Sequence, residues 1–320
     1  MQPVRVIAAR VAAGFLALCA AAAPAAAADV QSRLHEAWQD EIAKTPVPQE
    51  GCFKAEYPSK VWVKVQCVAA PLTPYVPRHG LGAATVGNGN DYAAVAHGPI
   101  TSAVGSFPFV TGVKTENDQG FANTYSLQLN SNFFSTTVCN GATNPSNCLG
   151  WQQFVYSSSS LASFIQYWLI NYGNTCPLGG WMSYAGSCYR NSNAVGVPQE
   201  AITQLAHLKI SGTAVAGGTD SFVTTTATKA YSTGGADSVV NLAAGWRANE
   251  FNVVGDGGGS EAVFNTGSSI TVQISQKDGT KLKPVCTAND GTTGETNNLN
   301  LGACSGVGGN APYIRFVEKN

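Results

Sequence analysis

From about residue 121 onward, apolar and polar positions alternate in short runs separated by Gly, Asn, Ser and Pro. Period-two runs bounded by turn residues predict strands near 123–134, 151–157, 163–172, 207–215, 220–226, 246–254, 260–264, 268–275 and 311–317. Only one stretch has helical spacing. Val30, Leu34, Trp38 and Ile42 recur every fourth residue, and Pro46 and Pro48 end the run, so a helix is expected over 29–46. Residues 68–82, with Pro71, Pro74 and Pro77, predict an extended connector. The segment 83–120 is rich in Gly and Ala, and its weak periodicity assigns no element. No tandem repeat is visible. Many strands with Gly- and Asn-rich connections and a single helix predict an all-β chain, a two-sheet antiparallel sandwich or jelly roll.

The N-terminus changes the expected setting. Arg5 and Arg10 precede the apolar stretch Val11–Leu18, and Ala26-Ala27-Ala28 before Asp29 forms a small-residue cleavage site. Residues 1–28 therefore resemble an export signal, too short in its apolar part to span a bilayer. Residues 29–82 would follow as helix plus connector, docked on the sandwich or acting as a pro-segment, and 83–320 as the sandwich domain. Eight of the nine cysteines lie beyond the signal. Their neighbours in sequence suggest four disulfides, Cys52–Cys67, Cys139–Cys148, Cys176–Cys188 and Cys286–Cys304, as expected in an extracellular or periplasmic protein. No C-x₂₋₄-C spacing supports zinc.

Charge excludes other classes. Only 12% of residues are charged and the net charge is −1. Neither nucleic acid nor an anionic membrane surface has an electrostatic reason to bind. So few titrating groups also predict a stability that changes little with pH. A monomer without cofactor or metal is expected.

Candidate chemistry lies on three strands. In 124–134, Gln128, Asn130 and Asn132 share one face while Leu127 and Leu129 share the other. Next come Trp151-Gln152-Gln153-Phe154-Val155-Tyr156 and Phe164-Ile165-Gln166-Tyr167-Trp168-Leu169, where Gln166 and Trp168 share a face. If the three strands are neighbours, one sheet face combines amides with aromatic rings. Amides donate and accept at once and rings offer flat apolar area, so such a face suits an extended peptide or a sugar chain.

The order of these segments, followed by Asn249–Gly255, resembles the secreted glutamic peptidases of the eqolisin type. The resemblance covers about residues 121–275 and implies a concanavalin-like sandwich and an acid-active endopeptidase. It places the catalytic amide at Gln152 or Gln153 and matches Trp168 to an aromatic-strand Trp. The family's last motif fits Asn249-Glu250-Phe251-Asn252-Val253-Val254, which keeps Glu250 but puts Val254 where the catalytic Glu belongs. Asp256, two residues on, and Glu250, roughly 13 Å back along the strand, are the substitute carboxylates. The alternative is a non-catalytic module holding glycan or peptide across Gln128, Asn130, Gln166 and Trp168.

Other chemistries lack their motifs. His35, His79, His97 and His207 form no H-E-x-x-H, and no G-x-S-x-G occurs. The run Asp290–Glu295 lacks the ligand spacing of an EF-hand and is expected at the tip of a loop closed by Cys286 and Cys304.

Overall fold

A computed structural model describes Met1 and residues 23–48, 51–78, 92–288 and 290–320. Most of the expected signal, His79 and part of the unassigned 83–120 segment lie outside the described residues. The chain is mostly β, with two large antiparallel sheets and a short N-terminal helix.

The first sheet has nine strands. In spatial order they are Val63–Val65, Cys52–Glu56, Lys229–Ala236, Thr219–Thr225, Lys209–Thr213, Ser102–Thr111, Ser269–Lys277, Tyr313–Lys319 and Asn300–Val307. The main path of the second runs Met182–Tyr184, Ser187–Asn191, Ala162–Ile170, Leu149–Ser157, Ser126–Ser131, Ala248–Val254, Tyr92–Val95 and Val285–Ala288. A small third sheet joins Thr296–Asn297, Glu261–Phe264, Glu116–Asp118 and Phe121–Ala122.

Each expected strand is present, its ends moved by a few residues. The central strand Ser102–Thr111 had no readable pattern because its small residues answer to close packing. A Cβ on Gly105 would lie 2.1 Å from Cδ2 of Phe251, and one on Gly212 would lie 2.3 Å from Cε2 of Phe154. Glycine at these positions lets the two sheets approach around large rings. Leu127, Leu129, Phe154, Ile165, Phe251 and Val253 of the second sheet meet Ile210, Phe222, Ile270, Val272, Ile274 and Ile314 of the first in one buried cluster. Burial of this apolar area is the main driving force for folding.

The helix runs Ala23–Ile42, and its last turns pack against the first sheet. Trp38 and Ile42 are buried against Ala55, Val223 and Ala230, whereas Val30 and Leu34 are exposed. Gln39 Nε2 donates to the carbonyls of His207 and Thr226, both at 2.7 Å, fixing the helix to the first sheet. The strands Cys52–Glu56 and Val63–Val65 belong to that sheet, so a boundary at residue 82 does not coincide with the edge of the sandwich. All four cysteine pairs expected from sequence order are bridged. No helix among the described residues is long and apolar enough to cross a membrane.

Candidate functional site

The three amide-bearing strands are neighbours. Asn130 pairs with Gln153, and Gln153 with Gln166, while Trp151 stands beside Trp168 and Trp168 beside Tyr189. Strand alternation sends Leu127, Leu129, Phe154 and Ile165 into the core and turns Gln128, Asn130, Gln153, Gln166 and Trp168 to the outer face.

On that face the amides form a continuous network. Gln128 Oε1 accepts from Gln153 Nε2 at 3.1 Å, from Asn130 Nδ2 at 3.2 Å and from Thr293 Oγ1 at 2.9 Å. Trp168 Nε1 donates to both Gln153 Oε1, at 3.2 Å, and Gln166 Oε1, at 2.9 Å. Gln166 Nε2 continues the chain to Asn191 Oδ1 at 2.8 Å. Trp151, Trp168 and Tyr189 pack together alongside, with Trp168 and Tyr189 stacked at 5.0 Å.

Gln152 belongs elsewhere. Its side chain points between the sheets, where Nε2 donates to Asp220 Oδ2 at 3.0 Å. Burial pushes the Asp220 carboxyl up to about 7, against hydrogen bonds that lower it. Gln153 is thus the outward member of the pair.

The proposed substitute carboxylates do not contact the Gln153 amide through any hydrogen bond seen in the structure. Glu250 pairs with Asn130, one strand from Gln153, which separates the backbones of Glu250 and Gln153 by roughly 10 Å. Its Oε2 accepts from the amides of Thr292, at 2.6 Å, and Thr293, at 3.0 Å. Val254 pairs with Ser126, which pairs with Ser157, four residues beyond Gln153. Asp256 follows the same direction and accepts from Ser157 Oγ at 3.1 Å, Ser159 N at 3.0 Å and Tyr75 OH at 2.7 Å. Burial raises its carboxyl above the usual range despite these bonds.

The carboxylate that does reach the amide network is Glu295, absent from the sequence candidates. Its Oε2 accepts from Gln128 Nε2 at 3.2 Å and Thr293 Oγ1 at 2.9 Å, while Oε1 takes the amides of Val76, at 2.9 Å, and Gly259, at 3.0 Å. Burial raises this group too. Within the loop closed by Cys286 and Cys304, Thr292, Thr293 and Glu295 are buried and hydrogen-bond to Gln128 and Glu250. An acidic side chain inside a disulfide-closed loop was the only sequence signal for it.

The rest of the face is covered by the Pro-rich connector. Asn191 Nδ2 donates to the Pro71 carbonyl and Tyr189 OH to the Leu72 carbonyl, both at 2.7 Å. The Tyr75 amide donates to Gln166 Oε1 at 2.8 Å. Across the strap, Gly258 N donates to Pro74 O at 2.8 Å, and Gly294 N to Val76 O at 2.9 Å. The Tyr75 ring is buried against Phe164. Pro71, Pro74 and Pro77 fix their own φ and push the preceding residues into extended conformations, and none carries an N–H needing a partner.

Behind the strap, a second acidic group includes Glu116 and Asp118. Asp118 Oδ2 accepts from the Asp256 amide at 2.8 Å and from Ser260 Oγ at 2.5 Å. Burial, reinforced by the Asp118 charge, pushes the Glu116 carboxyl up to about 8. Among the described residues no group of three or more His, Cys, Asp or Glu side chains is placed to hold a metal ion.

No family model, no curated protein and no solved structure matches this chain.

Proposed function

We propose that this chain is a secreted, glutamic-peptidase-like β-sandwich whose outer amide-and-aromatic face binds extended polypeptide. One observation carries the reading: the face already holds a stretch of extended chain by its backbone. Asn191 and Tyr189 donate to strap carbonyls, and Gln166 and Glu295 accept from strap amides. The groups held are the consecutive carbonyls of Pro71 and Leu72 and the consecutive amides of Tyr75 and Val76, so the face supplies both donors and acceptors to a peptide backbone, with aromatic area for the apolar contact. The segment already seated on the face is peptide, held by its own backbone, which favours peptide over sugar.

A second reading, endopeptidase activity, is favoured by the carboxylate–amide contact of Glu295 with Gln128, which Gln153 joins. A carboxylate that takes the proton of water beside an amide N–H that stabilises an oxyanion is a workable hydrolytic pair. It would use Glu295 or Glu250 with Gln153, rather than Asp256, and it requires a substrate chain in the place of the strap.

The test measures retention of a reduced, alkylated polypeptide by the immobilised protein in parallel with retention on a polysaccharide column. Polypeptide retention weakened by Trp168→Ala supports the reading. Retention on polysaccharide alone overturns it. Cleavage of the same polypeptide across pH 2–7, abolished by Gln153→Ala, would promote the second reading over simple binding.

A further inference from the structure

Among the described residues the strap lies directly against the amide face. Gln128, Asn130, Gln153, Gln166 and Trp168 are all buried, with the strap on Gln166 through the Tyr75 amide and the neighbouring segment 292–295 on Gln128 through Thr293 Oγ1. Yet the strap is not built like core. Its middle residues contribute a small separate cluster of Tyr75, Val155, Ala162, Phe164 and Ala194, apart from the packing between the sheets. Its ends are held by single β-bridges, Val68 to Ala194 and Pro77 to Thr293. Between these bridges Tyr75 and Val76 are buried, and Tyr75 is anchored by its ring on Phe164 and its hydroxyl on Asp256.

We infer that residues 71–78 are a built-in occupant of the peptide-binding face, latched by Tyr75 on Asp256, which an extended peptide carrying an aromatic side chain replaces when the latch opens. The inference rests on the peptide-binding reading above and adds its regulation and the character of its ligand. A tethered segment competes at an effective concentration in the millimolar range, so a free peptide of similar intrinsic affinity is excluded while the latch holds. Apparent affinity for a ligand in trans is reduced by the fraction of molecules that are open. Replacement breaks the strap's own hydrogen bonds, among them Gly258 N to Pro74 O and Gly294 N to Val76 O, and leaves the strand pairing of the two large sheets intact. Residues 52–67 stay in the first sheet through the Cys52–Cys67 bridge and their pairing with Lys229–Ser232.

A fluorescent peptide of the sequence 70–78 titrated into the full disulfide-bonded chain tests the latch. Wild type should bind it weakly, and Tyr75→Ala should bind it more tightly by roughly tenfold or more, the scale of a lost hydrogen bond to a charged group. Tyr75→Phe, which keeps the ring, should fall between the two and serves if Tyr75→Ala fails to fold. Adding Asn191→Ala to either variant should abolish the gain, since Asn191 contacts peptide backbone directly. Equal, tight binding by wild type and both variants, still sensitive to Asn191→Ala, would overturn the latch and leave the peptide-binding reading standing. Absence of binding by all three proteins, or binding indifferent to Asn191→Ala, would overturn both.

Discussion

The Tyr75 hydroxyl donates to the Asp256 carboxylate at 2.7 Å, joining two residues 181 positions apart in the chain. Asp256 also accepts from Ser157 Oγ and the Ser159 amide, so three donors converge on one half-buried carboxylate. Asp256→Ala should lower stability by about 1–3 kcal/mol, since the Tyr75 and Ser157 hydroxyls lose a part-buried acceptor while the exposed Ser159 amide can turn to water. Asp256→Asn, which keeps one acceptor, should cost less. Urea unfolding midpoints measure the difference, and equal losses for the two variants would contradict the convergence.

Glu116 and Asp220 make stability depend on pH, contrary to what the sparse surface charge suggested. Burial raises Glu116 to about 8 and Asp220 to about 7 in the folded chain. A folded pKa above the unfolded value gives a contribution fully present below the unfolded pKa and lost as pH rises through the folded one. The thermal midpoint should therefore be highest near pH 4 and fall toward pH 8. Glu116→Gln together with Asp220→Asn should flatten the profile; a midpoint that rises over that range in wild type would refute the assignment.

Gly105 and Phe251 set the distance between the sheets. Gly105→Ala would drive a Cβ to within 2.1 Å of that ring, so one sheet or the ring must move. A loss of about 1–3 kcal/mol or more is expected from overpacking. Calorimetry of Gly105→Ala beside Gly302→Ala, where the added Cβ would lie 2.9 Å from the Val317 carbonyl at an edge strand, measures it. The Gly105 variant should be the more damaged.

The four bridges should appear as a mature chain without free thiol, read by intact mass before and after reduction. Cys286→Ala with Cys304→Ala opens the longest of the loops, a separation of 18 residues. Loss of about 3 kcal/mol follows from the chain-entropy account. Because that loop carries residues 292–295 over Glu250 and Gln128, limited proteolysis should nick it faster than in the wild type. Unchanged nicking would mean that the cover is held without the bridge.

Strand positions were legible because each strand with one buried face writes a period of two into its own residues, as in Leu127, Gln128, Leu129 and Asn130. The bridges were legible because each pair closes a short turn or loop containing Gly, Asn or Pro. The strand Ser102–Thr111 was not, since its glycine answers to Phe251, a residue far along the chain. Parity alone also left Gln152 and Gln153 equivalent.

The sequence by itself determined the all-β class, the amide-bearing strands and the disulfide pairs it suggested, for these depend on neighbours within about 20 residues; that the three strands lie side by side was a condition only the sheet pairing met. Only the tertiary structure decided which glutamine faces outward, that Glu295 meets Gln128, and that the Pro-rich connector covers the face. Those contacts join residues 167 positions apart, as between Gln128 and Glu295, and 91 apart, as between Tyr75 and Gln166. A local pattern records burial and alternation. It does not record which distant backbone will satisfy a buried amide, and that pairing is settled only when the sheets pack and every polar group on the face must find a partner.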